Sequence, residues 1–197
     1  MGAVSLAIIH YPVLDKQGDI VSTSITNLEL HDTARSCMTF GVGLCYIVTP
    51  LEKQKGIAEQ LVDHWKTGYG RRYNPHRAKA LEKICIKKSV GDVMSEFQGS
   101  APILIGTSSR KRDNSIGYGQ LRRWIEADPR PFLLLFGTGW GLPPDLVGSC
   151  ERVLLPIMGR GEYNHLSLRV AIGIVLDRLF GDYRREPVEG VPVATSL

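Results

Sequence analysis

The chain has no apolar run that approaches the roughly 18–20 residues needed to cross a bilayer. Its N-terminal stretch, MGAVSLAIIHYP, lacks the basic region and cleavage site of a signal peptide, and predicts a first strand instead. The four cysteines lie far apart, with no CxxC pair and no Cys/His cluster, which predicts reduced thiols and no metal site. These absences favour a cytoplasmic protein with neither a membrane nor a metal as partner.

The length of 197 residues and the hydrophobic content of 43% are enough for one substantial core. We expect a single domain over residues 1–181. The remaining residues, 182–197, have little apolar content and predict a frayed C-terminal tail.

Runs rich in β-branched residues alternate with longer helical patterns along the chain. The predicted strands cover residues 4–10, 44–49, 84–88, 103–106, 132–136 and 153–157. The predicted helices cover residues 26–39, 51–67, 90–97 and 115–128, with a last helix that begins near Leu166. Residues 12–24 predict a polar loop or irregular hairpin, and residues 68–75 a loop. This alternation predicts an α/β fold, a mostly parallel sheet with helices on both faces.

The last helix is apolar on nearly every side between Leu166 and Phe180. A helix with that pattern has to be buried all round, either in the core or against a second subunit. We therefore expect a homodimer that forms through this helix.

Two strands near the C-terminus end in glycine-containing loops. The run 132–136 leads into FGTGWGL, with glycines at Gly137, Gly139 and Gly141, and the run 153–157 leads into MGRGEYNH. Glycines permit positive φ and let the backbone approach a ligand closely. The spacing matches neither a GxGxxG dinucleotide loop nor a P-loop. Because open α/β sheets bind ligands at the carboxyl ends of their strands, a small-molecule site is predicted here.

Basic residues are concentrated in one part of the chain, although the net charge is only +4. Eight of them stand against the single acid Glu82, namely Lys66, Arg71, Arg72, Arg77, Lys79, Lys83, Lys87 and Lys88. Basic residues interleaved with Tyr69 and Tyr73 suit an RNA backbone and unstacked bases. A solvated basic surface without a partner explains the same pattern.

The two glycine loops resemble the second and third motifs of the SPOUT superfamily of RNA methyltransferases. Members of that superfamily carry an FGxExxGL-like loop and an IPMxGxxESLNVSxA-like loop and helix; here the segments are FGTGWGL and LPIMGRGEYNHLSLRVA. A third segment, ELHDTARSCMTFGV, is similar to the superfamily's NxGxIxRTAxAFGV signature and aligns Arg35 with its arginine. The chain most resembles the small branch found alone or joined to bacterial tRNA guanine-N1 methyltransferases.

The resemblance implies methyl transfer from S-adenosylmethionine (SAM) to RNA, either tRNA or rRNA. It also implies a C-terminal trefoil knot that holds the cofactor, and a homodimer with the final helix at its interface. The cofactor contacts that it implies are Thr107, Phe136, Gly137, Gly141, Leu155, Ile157, Met158 and Leu166. On this basis we expect Gly137→Val to abolish SAM binding while leaving the fold intact.

Three positions depart from the superfamily's pattern. Its Glu in the first loop is Gly139 here, its Asn before the last helix is Ser167, and the first Asn of its signature is Glu29. Asn164 and His165 precede the helix and could replace the missing polar groups, although His165 is also explained as a neighbour of a helix cap. The acceptor atom, on a base or a ribose, does not follow from this pattern.

The predicted catalytic residues are Arg35, Asn164 and His165. The predicted RNA-binding residues are His31, Arg71, Arg72, Arg77 and Arg110. His31 and Arg35 stand four apart on one helix face, which suits a phosphate and equally an ordinary exposed pair. Two alternatives stay open: an RNA-binding protein of this fold without methyl transfer, and an unrelated doubly wound enzyme that binds another small molecule.

Overall fold

The computed structural model describes residues 2–161 and 163–182. Most of the predicted tail lies outside the described residues. Nine strands occur in the described part of the chain: β1 (Val4–Ile9), β2 (Val13–Leu14), β3 (Ile20–Val21), β4 (Cys45–Val48), β5 (Ile84–Lys87), β6 (Ile103–Gly106), β7 (Ser115–Ile116), β8 (Phe132–Gly137) and β9 (Arg152–Leu154).

Seven of these strands form one sheet in the order β5-β4-β1-β8-β6-β9-β7, and every pairing in it is parallel. The other two, β2 and β3, make an antiparallel hairpin after β1. Consecutive leucines in β8 are fully buried, as expected for a central strand that is covered on both faces.

Eight helices are described: α1 (Asn27–Thr39), α2 (Glu52–Lys66), α3 (Tyr69–Tyr73), α4 (Pro75–Leu81), α5 (Val90–Met94), α6 (Tyr118–Ala127), α7 (Pro144–Gly148) and α8 (Leu168–Phe180). The larger core cluster packs α1, α2, α4, α6 and α8 on one face of the sheet. The smaller cluster packs the hairpin, α5 and α7 on the other face. The predicted α/β fold is therefore confirmed.

The register of the sheet brings three strand ends together. Gly137 at the end of β8 pairs with Ile9 at the end of β1. The backbone N–H of Thr107, just after β6, donates to the carbonyl of Leu135 at 3.1 Å. The N–H of Leu155, just after β9, donates to Ile116 at 2.9 Å. The loops that follow β6, β8 and β9 consequently meet at one edge of the sheet.

Two local predictions were wrong. Residues 115–116, predicted as the start of a helix, form the edge strand β7, because Ile116 pairs with Leu154. Residues 68–75, predicted as a loop, contain helix α3 and the cap of α4. Gly70 packs so closely that a Cβ there would lie 2.7 Å from the Trp65 ring, and Asn74 caps α4 by accepting from Arg77 N–H at 3.0 Å. The glycine serves close packing here rather than a turn.

Candidate active site

A cavity of about 740 Å³ opens where the loops after β6, β8 and β9 meet. Its apolar lining includes Phe136 from β8, Leu155 and Ile157 after β9, and Val175 from α8. Polar groups enter from the loop after β6, which contributes Thr107, and from the segment before α8. A concave, largely apolar site with a few convergent polar groups is the usual form of a small-molecule site.

The first glycine loop, 137–142, is held in place by the β2–β3 hairpin. The N–H of Trp140 donates to the carbonyl of Leu14 at 2.9 Å, and Leu14 N–H donates to the carbonyl of Gly141 at 3.0 Å. Gly139 and Gly141 have φ of +58° and +105°, a backbone conformation that residues other than glycine rarely adopt. The loop is thus a fixed wall of the cavity.

Gly137 has a structural reason to be glycine. A Cβ at this position would lie 2.7 Å from the backbone nitrogen of Leu142 and 2.8 Å from the carbonyl carbon of Gly141. The expectation that Gly137→Val would leave the fold intact is therefore wrong, because the backbone of the loop would have to move. A test of the cavity needs another position.

The second loop, 155–167, supplies an unpaired backbone donor and a link across the cavity. Among the described residues, the N–H of Ile157 has no hydrogen-bond partner. Asn164 Nδ2 donates to the carbonyl of Ser109 at 2.9 Å, which connects this loop to the loop after β6. Leu166 lines the cavity and is 45% exposed.

These features fit the groups of SAM. The apolar lining and the N–H of Ile157, which has no partner among the described residues, suit an adenine ring, which needs both a slot and backbone donors. The glycine loop allows the close backbone approach that the methionine part needs. Seven of the eight predicted cofactor residues line the cavity: Thr107, Phe136, Gly137, Gly141, Leu155, Ile157 and Leu166. Met158, the eighth, is 62% exposed and lies outside the lining.

The predicted catalytic residues separate into two groups. Asn164 and His165 line the cavity, and the His165 ring packs edge-on against Tyr163. Arg35 is exposed on α1 and does not line the cavity. Within the described chain, Arg35 is therefore apart from the other two, and its role stays a prediction.

A buried polar chain at the cavity wall was not anticipated as a functional site. His10, directly after β1, places Nε2 2.6 Å from Oε1 of Glu29, which lines the cavity from the first turn of α1. The other ring nitrogen lies 3.0 Å from Oγ1 of Thr23, which in turn hydrogen-bonds Thr138. Only the unusual Glu29 at the signature's first position pointed to this place; nothing in the local sequence marked His10.

The predicted RNA-binding residues lie in three places. Arg110 is exposed and belongs to the cavity rim, whereas Arg71 and Arg72 are exposed on α3. The guanidinium of Arg77 lies 4.6 Å from the centre of the Trp65 ring, a cation–π contact that half-buries it. Arg77 is thus part of the packing between α2 and α4.

His31 has a packing partner as well. Its ring meets Trp65 edge-on with 5.5 Å between the ring centres, and its Nδ1 is buried without a hydrogen-bond partner among the described residues. Burial, and then the charge of Arg77, lower the pKa of His31. A more weakly basic imidazole is less able to attract a phosphate, so its RNA contact stays a prediction.

The parallel α/β sheet with a cavity between two glycine loops matches the fold of SPOUT-type methyltransferases. A probable methylase family protein from Haemophilus influenzae Rd KW20 superposes with a TM-score of 0.65 at 16% identity, over 98% of this chain and 73% of that one. The SpoU methyltransferase AviRb from Streptomyces viridochromogenes, solved with the cofactor AdoMet, gives a TM-score of 0.51 at 14% identity, over 91% of this chain and 57% of that one. At sequence identities this low, the structural similarity establishes a shared fold only.

The chain belongs to the family of SAM-dependent RNA methyltransferases, whose family model matches residues 3–181. It is 38% identical over 184 residues to an uncharacterized protein of Aquifex aeolicus (strain VF5), covering 92% of this chain and 90% of that one. It is 42% identical over 182 residues to the tRNA (guanine-N(1)-)-methyltransferase of Nitratidesulfovibrio vulgaris, covering 89% of this chain. The chain spans only 41% of the length of that enzyme.

The family fixes the cofactor as SAM and the substrate class as RNA. Among the described residues, no group of three or more His, Cys, Asp or Glu side chains is arranged to hold a metal ion. In the same part of the chain, no helix is long and apolar enough to span a membrane.

Proposed function

We propose that the chain transfers the methyl group of SAM to a nucleotide of a tRNA or rRNA at the cavity between its two glycine loops. The observation that supports this most is the convergence of seven predicted cofactor residues, from three separate loops, on one cavity of about 740 Å³. When bound, SAM supplies an electrophilic methyl group on a sulfonium. The chain's own residues bind and orient the cofactor and the nucleotide.

The polar residues around the opening would guide the nucleotide. Asn164 and His165 line the cavity beside Arg110, so they are placed to contact a base or ribose that enters it. Asn164 already bridges to Ser109, which ties the two loops into a common rim. Arg35 would hold a phosphate further from the cavity, at the exposed side of α1.

The RNA backbone would lie on the exposed basic surface of α3, around Arg71 and Arg72. Tyr69 and Tyr73 are 65% and 72% exposed there, with 5.9 Å between their ring centres. Cationic side chains next to exposed aromatic rings suit a single-stranded segment, because the cations meet phosphates and the rings meet bases.

The working unit would be a cytoplasmic homodimer in which α8 contributes to the interface. One face of α8 is open: Val170 is 49% exposed, and a Cβ at Gly173 would meet nothing within 4 Å. An apolar helix face of this kind is typical of a subunit contact. The trefoil knot implied by the superfamily also belongs to this proposal.

Radiolabelled methyl transfer tests the proposal. Purified protein is incubated with methyl-labelled SAM and with unmodified total tRNA or rRNA transcribed without modification. We expect label in one of these RNAs, and calorimetry with SAM should show one site per chain. SAM binding without labelled RNA would favour the RNA-binding alternative, whereas no SAM binding would favour an unrelated enzyme.

A further inference from the structure

We propose that Glu29 is the general base of the methyl transfer, held in position by His10. This inference rests on the proposed function. It adds a catalytic residue at a site where the family signature has a different side chain, and it assigns the substrate to a chemical class. That class is an acceptor that carries a proton, either an N–H or an O–H.

The Glu29 side chain is held by a contact with another part of the fold rather than by its own helix. Thr26 and Glu29 stand at the spacing of a capping box, and the Thr26 side chain accepts the Glu29 N–H at 3.2 Å. The Glu29 carboxylate does not accept the backbone N–H of Thr26 in return, as it would in a complete capping box. Its Oε1 instead pairs with His10, and its Oε2 has no hydrogen-bond partner among the described residues. One carboxylate oxygen is therefore available to a ligand.

The surroundings shield this carboxylate. Glu29 is 7% exposed and His10 is fully buried, yet Glu29 lines the cavity. The imidazole is fixed on its other side by Thr23 at 3.0 Å. A base whose partner is itself oriented by a third group is the arrangement expected of an acid–base catalyst. An ion pair on the protein surface would need neither this burial nor the contact with Thr23.

Other groups at the cavity are less suited to the same task. Asp15 is less buried than Glu29, and its carboxylate closes the turn between β2 and β3, where Oδ1 accepts from the N–H groups of Gln17 and Asp19 at 2.8 and 2.9 Å. His165 is exposed and packs against Tyr163, with no hydrogen-bond partner to orient it among the described residues. Glu29 is the better placed base because it is both oriented and screened from water.

The chemistry balances with Glu29 in this role. The acceptor's N–H or O–H bond breaks and its proton passes to the free oxygen of Glu29. The acceptor atom forms its bond to the methyl carbon as the bond from that carbon to sulfur breaks, and S-adenosylhomocysteine leaves. The protonated carboxyl then releases its proton to solvent through the cavity opening.

Several titratable or charged groups line the same cavity as Glu29 or lie on elements packed against it, and they also contribute to the pH dependence. Cys37 lies on α1 and Cys45 on β4, and Glu29 contributes to raising the pKa of Cys45, an effect dominated by burial. From the cavity lining come Asp15, Lys16, Arg110, Arg112, Tyr118 and His165. Glu29 and His10 differ from these cavity-lining groups because they are buried and hydrogen-bonded to each other.

The test compares single-turnover methyl transfer by wild type, Glu29→Gln and a control, Glu126→Gln, which removes an exposed carboxylate from α6. We expect Glu29→Gln to slow transfer by about 10²–10⁴-fold while the SAM affinity changes by less than about threefold. The control should match wild type. Transfer at the wild-type rate by Glu29→Gln, or a comparable loss of SAM affinity, would overturn the proposal. Absence of transfer in wild type would instead overturn the proposed function.

Three measurements keep the proposal open to refutation should Glu29→Gln fold poorly. The wild-type transfer rate should fall about tenfold per pH unit on the acidic side, where the base takes up a proton; a rate independent of pH there would contradict the role. In protein without cofactor, nitrogen NMR should place a proton on His10 Nε2, facing Glu29; a bare Nε2 would contradict the pair. In His10→Gln, transfer should continue with a displaced acidic limb, and an unchanged profile would remove His10 from the account.

Discussion

Ala171 occupies the position at which added volume most directly tests the cavity. It lines the cavity from the first turn of α8 and is only partly buried. A benzyl group in Ala171→Phe would take space that the cofactor needs. We expect the SAM affinity to fall at least about 100-fold, or roughly 3 kcal/mol of binding free energy, as measured by calorimetry.

The control for this change is Ala127→Phe, at the exposed end of α6. It adds the same group far from the cavity lining and should leave SAM affinity as in wild type. Circular dichroism should show both variants folded. Normal affinity in a folded Ala171→Phe would mean that SAM binds elsewhere.

Cys150 gives the fold a dependence on alkaline pH. Burial, with a smaller effect of Glu151, raises the pKa of the Cys150 thiol from 9.0 to about 11. The folded chain therefore keeps the thiol neutral where the unfolded chain ionises it. The stability from this group is fully present below about pH 9 and is lost as the pH rises to about 11.

Thermal unfolding measured across this pH range tests the effect. We expect the Tm of wild type to decline between about pH 9 and pH 11, and Cys150→Ala to decline less steeply. Some decline should persist in the variant, because burial also raises the pKa of Cys45 and Tyr46. Parallel curves for the two proteins would show that the Cys150 thiol does not contribute.

At the scale of elements, we expect the exposed basic surface of α3 to contact the phosphates of the RNA. Arg71 and Arg72 are exposed, so replacing both with alanine should cost little stability. If each arginine contacts one phosphate, the slope of the logarithm of the RNA-binding constant against the logarithm of salt concentration should become less steep. The expected change is up to about 1.4–1.8, at roughly 0.7–0.9 per phosphate. SAM affinity should not change. Binding is measured at several salt concentrations.

The matched control is Arg152→Ala, which removes an exposed arginine from β9. Arg77 is left in place, because its stacking on Trp65 contributes to packing and its loss would confuse the result. If the salt dependence of RNA binding is unaltered in the Arg71/Arg72 variant, α3 is only a solvated basic surface. The RNA contact would then have to lie at the rim around Arg110.

Most elements could be predicted because their hydrophobic periods are long and local. The four-residue spacing in α2 and the apolar runs of β1 and β8 give unambiguous signals. Helix α3 could not be predicted, since its glycine is explained by a contact with Trp65 in another element. Strand β7 has only two residues and exists through its pairing with β9, which no local pattern reveals.

The site was predictable where a motif lay in one loop. The predicted cofactor residues of both glycine loops, apart from Met158, line one cavity. The His10–Glu29 pair joins positions 19 apart in sequence through the fold, so no spacing pointed to it. Arg35 matched a motif position but lies outside the cavity of a single chain.

At the scale of the whole molecule, the open face of α8 predicts the homodimer. Val170 is 49% exposed, whereas Leu176 is fully buried within one chain. Val170→Asp should therefore convert a dimer into folded monomers, because it would bury a charge in the interface without unfolding the core. Sedimentation velocity measures the outcome.

Ile57→Asp is the control, since Ile57 is 66% exposed on α2 and the change introduces the same charge. It should sediment like wild type. A monomeric wild type would contradict the homodimer outright, and a dimeric Val170→Asp would place the interface on another surface.

The proposed activity is the transfer of a methyl group from SAM to RNA at the cavity between the glycine loops. The most direct measurement is mass spectrometry of nucleosides from unmodified tRNA and rRNA that have been incubated with SAM and either wild type or Ala171→Phe. We expect one new methylated nucleoside with wild type and a loss of most of it with Ala171→Phe. RNA that stays unmethylated with wild type, or equal methylation by both proteins, would refute methyl transfer at this cavity.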